Sequence, residues 1–71
     1  MTQTQLSEFQ QGALVAVSLL IALHDDPVAA ADVVGELGLS EADCTILEDY
    51  DKNNLKKIQG ERGGTIKLRG L

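Results

Sequence analysis

Apolar residues crowd the chain between Ala13 and Leu23, where only Ser18 interrupts them. From residue 4 to 24, Leu6, Phe9, Ala13, Val17, Leu20 and Leu23, with Ala16 beside them, recur at three- and four-residue spacing, which predicts a first helix. Leu14, Val15, Leu19, Ile21 and Ala22 cover much of its remaining circumference. A helix that is apolar all round must be buried on several sides, and the rest of so short a chain is too small to wrap it. The expectation is therefore that one stripe packs inside the chain. The other, Leu14, Val15, Leu19, Ile21 and Ala22, is expected to meet a second copy in a homodimer.

The punctuation along the rest of the chain is clear in places. Thr4 or Ser7 can cap the first helix, with Glu8 near its positive end and His24 near its negative end. Asp26-Pro27 opens a second helix over residues 27–37, and Gly38 closes it in a left-handed conformation. Val28, Ala31, Val34 and Leu37, flanked by Ala30 and Val33, form its core stripe. Ser40, with Asp43 three residues on, predicts a third helix over 41–53 that turns Cys44, Leu47 and Tyr50 inward, with Ile46 nearby. Asn53 and Asn54 end it. Thr65 to Arg69 alternates, with Ile66 and Leu68 on one face, and three glycines between Gly60 and Gly64 suit a hairpin loop. The predicted strands are 55–59 and 65–69. In the alternative, 55–59 continues the third helix and the last strand pairs with another subunit. The fold class expected is mainly α with a small C-terminal β-hairpin: one domain over 1–71, three helices and a wing.

Charge changes this picture. All six Lys and Arg residues follow position 51, whereas ten of the eleven acids precede residue 52. The body should repel phosphate and the tail attract it. Cys44 is the single cysteine, so no disulfide framework exists, and a lone thiol is expected to be a small buried residue in a reducing, cytoplasmic compartment. The apolar run is shorter than the roughly 20 residues of a membrane-spanning helix. The segment before it lacks the basic start of a signal peptide, so no membrane association is expected.

The chain offers little chemistry. With a single His and scattered acids there is no metal constellation, and His24-Asp25-Asp26 is read as a helix end followed by a cap. Gly60–Gly64 lacks the Gly-Lys-Ser/Thr ending of a phosphate loop. Asp49–Asn53 lacks the sixth-position Gly and distal Glu of a calcium loop. The expectation is a protein that is not an enzyme and takes no cofactor.

Two helices around Gly38, with Val33, Leu37, Leu39, Cys44 and Leu47 at the packing positions, resemble the helix-turn-helix pattern over residues 30–49. The hairpin extends the resemblance to a compact winged helix-turn-helix domain. Val34 departs from it, because the family prefers Ala where the helices approach. The resemblance implies DNA binding by the second helix of the pair, aided by a wing that contacts phosphate. That helix would instead carry Glu41, Asp43, Glu48 and Asp49, with no base to offer the groove except at its far end. The reading that follows is a small regulatory protein acting by protein–protein contact through this acidic face and the hairpin. The alternative is a dimeric DNA-binding transcriptional regulator that contacts phosphates through a basic wing of Lys56, Lys57, Arg62, Lys67 and Arg69.

Overall fold

A computed structural model describes residues 6–71. The elements are α1 (Glu8–His24), α2 (Pro27–Glu36), α3 (Asp49–Leu55) continued by a 3-10 turn (Lys56–Ile58), and the short α4 (Glu61–Gly64). The residues expected to begin α1 before Leu6, including the candidate cap Thr4, lie outside the described residues.

Ser7 starts α1. Its hydroxyl accepts the Gln10 amide at 3.1 Å, and the Gln10 side chain accepts the Ser7 amide at 2.9 Å. This reciprocal pair satisfies two of the donors that a helix start leaves open. At the other end Asp25 takes a left-handed conformation (φ 49°) and donates its amide to the Ile21 carbonyl. Asp26 then accepts the Ala29 amide and Pro27 occupies the first turn of α2, as its sequence predicts. Gly38 (φ 74°) ends α2: its amide donates to the Gly35 carbonyl and that of Leu39 to the Val34 carbonyl. That double bond is the Schellman closure, and buried Leu39 is its apolar plug.

The third helix begins later than its sequence suggests. Residues 41–48 are not helical, and α3 starts at Asp49. The C-terminal segment has taken the backbone groups that a helix from Ser40 would need. Lys67 donates to the Ser40 carbonyl at 2.8 Å, Arg69 to the Ala42 carbonyl at 2.9 Å, and Cys44 to the Arg69 carbonyl at 2.7 Å. This is parallel pairing, and it amounts to one isolated bridge between Asp43 and Arg69. The Asp43 carboxylate accepts from the Thr45 amide and hydroxyl rather than from a helix start, a local alternative that competes with helix.

The expected C-terminal hairpin is absent: the described residues contain no strand, and 55–59 continues α3 into the 3-10 turn. Gly60, Arg62, Gly63 and Gly64 all have positive φ, so the glycine-rich stretch forms a tight left-handed turn rather than a hairpin loop. It sends the chain across to residues 40–44 instead of back along 55–59. Ile66 and Leu68 are buried while Thr65, Lys67 and Arg69 are exposed, so the alternation read from the sequence is real although its partner differs. Gln59 supplies part of the missing partner. Its side-chain amide donates to the Leu68 carbonyl and its oxygen accepts the Leu68 amide, both at 2.8 Å.

The core joins all these pieces. Leu14, Val17 and Ile21 of α1 meet Ala30, Ala31 and Val34 of α2, and Leu55, Ile58, Ile66, Leu68, Leu39, Cys44 and Leu47 close the other side. Ala30 and Ala31 are fully buried, and such small side chains let α1 and α2 approach closely. Ser18, the one polar residue of the apolar run, is buried between α1 and α3 and accepts from the Asn54 side-chain amide at 2.9 Å. Asn54 therefore does not end the helix. It satisfies a buried hydroxyl that would otherwise oppose burial.

Candidate interaction surfaces

The segment expected to be an acidic helix is an acidic loop leading into a short helix. Glu41, Glu48 and Asp49 are exposed and Asp43 is half-buried. The Asp43 carboxyl is held below its usual range, first by the Thr45 hydroxyl (2.6 Å) and then by the Thr45 amide (3.1 Å). Asp43 thus fixes the turn and is not a free carboxylate on the face. The sequence reading turned Tyr50 inward with Ile46 nearby, but Tyr50 is 57 % exposed and Ile46 56 % exposed. The late start of α3 rotates them outward while Leu47 stays buried. No local signal in the sequence marks this, because the cause lies some 25 residues further along the chain.

The C-terminal segment clamps that loop. Gly70 (φ 74°) passes so close that a β-carbon there would strike the Thr45 hydroxyl and lie 2.8 Å from the Asp43 carboxylate. Arg69 donates from its side-chain Nε to the Glu41 carbonyl at 3.0 Å. The segment that leads into Ile46, Glu48, Asp49 and Tyr50 is accordingly fixed by backbone pairing at residues 40–44.

The five bases expected to form a wing do not share one element. Lys56 and Lys57 lie on the 3-10 turn, Arg62 on α4, and Lys67 and Arg69 on the C-terminal segment. Arg62 folds back over α2: its Nη1 donates to the Asp32 carbonyl at 3.2 Å, and its guanidinium approaches the Asp32 and Glu36 carboxylates at 3.7 and 3.9 Å. Gly35 makes this possible, because any side chain there would occupy the space of the guanidinium. Arg62 and Arg69 therefore bind the acidic body. Lys56, Lys57 and Lys67 are exposed.

The residues expected at a dimer interface are divided by the fold. Leu14 and Ile21 are fully buried in the chain's own core, and Val15 is half-buried against it. Leu19 and Ala22 are exposed. Conversely, Phe9 and Leu23, expected in the inner stripe, are 74 % and 73 % exposed. The helix is rotated relative to the sequence reading: Leu14 and Ile21 turn inward and Phe9 and Leu23 outward, while Val17 stays buried and Leu19 and Ala22 face outward as expected. This rotation also brings Ser18 onto the inner side, where it meets Asn54.

Cys44 is fully buried. Burial, reinforced by the neighbouring Asp43 charge, pushes its thiol up to about 11, so it stays protonated and unreactive at neutral pH. Among the described residues there is no pocket, no group of three metal-ligating side chains, and no helix long and apolar enough to cross a membrane. What the molecule presents is surface: an acidic loop with two apolar side chains, and an uncharged outer face of α1. Comparisons with protein-family models, characterised proteins and solved structures give no match.

Proposed function

We propose that this is a small non-catalytic regulatory protein that acts by protein–protein contact, through the surface of Glu41, Ile46, Glu48, Asp49 and Tyr50. The observation that carries this reading is the exposure of Ile46 and Tyr50 beside Glu48 and Asp49, directly after residues 40–44, which are fixed by pairing with Lys67 and Arg69. Apolar anchors within a charged rim are what a protein interface needs, and a rigid support lowers the ordering cost of binding. The chemistry of the surface selects a partner that is basic with an apolar centre. Such a partner includes a protein whose basic surface otherwise holds nucleic acid.

The test is retention of a binding partner by the immobilised protein, compared with an Ile46→Ala/Tyr50→Ala variant. A partner retained by the wild type, released by added salt and lost by the double variant supports the reading. Equal retention by both proteins overturns it. Random duplex DNA is the competing ligand. Binding at about 50 mM salt that disappears when Lys56, Lys57 and Lys67 become Gln transfers the function to phosphate contact.

A further inference from the structure

The outer face of α1 carries a separate message. Phe9, Gly12, Ala16, Leu19 and Leu23 are all exposed. Their spacing of three, four, three and four residues is that of a coiled-coil seam, and at about 100° per residue it lies directly opposite the buried stripe of Leu14, Val17, Ser18 and Ile21. No charged residue interrupts α1 between Glu8 and His24. We propose that this seam is a self-association surface on which two copies of the chain pack with their α1 helices antiparallel.

Three observations favour a second copy over another occupant. The seam is self-complementary: with the two-fold axis beside Ala16, Phe9 of one copy comes opposite Leu23 of the other and Leu19 opposite the Gly12–Ala13 pair. Leu19 then meets small residues near the centre while the Phe9–Leu23 pairs close the two ends, and an isologous interface closes on itself. Among the described residues, nothing lies within 4 Å of a β-carbon placed at Gly12, so the space a partner Leu requires is open there. Secondly, Phe9, Leu19 and Leu23 with the small residues between them expose on the order of 500 Å² per copy, and a pair would bury roughly 1,000 Å², the lower bound for a specific interface. Thirdly, the net charge of −5 and the absence of Lys and Arg along α1 oppose adsorption to an anionic lipid surface. An uncharged seam also offers no selectivity for the basic partner assigned to the acidic loop. The dimer stands independently of that assignment.

The test is sedimentation equilibrium of the whole chain at about 100 µM, where a dimer with a dissociation constant on the order of 10 µM is expected. Because the copies carry like charge, added salt should tighten the dimer, the opposite of its effect on an acidic loop bound to a basic partner. Ala16→Glu places two carboxylates face to face at the axis and should weaken the dimer about 100-fold with helicity unchanged. If that variant loses helicity, Leu23→Ser at the exposed end should weaken it about tenfold. Orientation is read by mixing Phe9→Cys with Leu23→Cys under mild oxidation, since buried Cys44 leaves no competing surface thiol. Cross-linking in the mixture above that of either variant alone is the expected result. A monomer at about 100 µM, or a dimer indifferent to both substitutions in folded protein, overturns the proposal; stronger cross-linking within one variant overturns the antiparallel arrangement.

Discussion

The α1–α2 hairpin and the remainder of the chain are held by different kinds of contact. In the first, every boundary is set by neighbours in sequence: Ser7 with Gln10, Asp25 with Ile21, Asp26 with Ala29, Gly38 with Gly35. From residue 40 onward the decisive bonds are distant: Ser40 with Lys67, Cys44 with Arg69, Ser18 with Asn54, Gln59 with Leu68. Local bonds need only that their own helix forms. Distant ones exist only once the core has brought their partners together, so the second half depends on the first.

The strongest challenge to that contrast is a cavity in the distant half. Ile66→Ala should cost about 3 kcal/mol in urea unfolding of the whole molecule, because Ile66 belongs to the single core shared with α1. Loss of the C-terminal segment alone, with α1 and α2 still folded cooperatively, would show two separable units instead. Next comes the buried thiol. Cys44 has a folded value near 11 against 9.0 when free, so its contribution is complete below pH 9 and is lost as pH rises from 9 to 11. Wild type should lose about 2 kcal/mol more than Cys44→Ala across that window; parallel pH profiles would contradict the burial argument.

Gln59→Ala removes both bonds to the Leu68 backbone and should cost about 1–2 kcal/mol. Hydrogen exchange should then accelerate at Leu68, Arg69 and Cys44 more than in α1. Uniform acceleration would remove the distinction between the halves. The smallest effect is expected at the local end: Ser7→Ala should cost about 1 kcal/mol and loosen only the first turn of α1, read from the Gln10 amide.

This division also explains what could be read from the residues. The ends of α2, the left-handed Gly38 and the alternation of Ile66 and Leu68 were legible because each is written in adjacent side chains. The start of α3 was not, since Ser40 and Asp43 form a plausible cap whose backbone is captured by Lys67 and Arg69. The glycines at 60, 63 and 64 signalled a reversal correctly, but not where the chain goes after it. The seam on α1 was visible as an excess of apolar surface. How α1 is rotated about its axis goes with Ser18 meeting Asn54 across the core, a pairing that periodicity does not reveal. The basic residues looked like a wing only while they were counted together; Arg62 and Arg69 prove to be occupied by the body.

The parallel pairing of Asp43 with Arg69 also has a consequence for synthesis. At about 5–20 residues per second, the ribosome adds the intervening residues over one to several seconds. The α1–α2 hairpin can assemble in that interval with its own caps. The acidic loop, by contrast, has no fixed backbone until residue 69 emerges from the exit tunnel, so the surface assigned to partner binding is completed later than the α1–α2 hairpin.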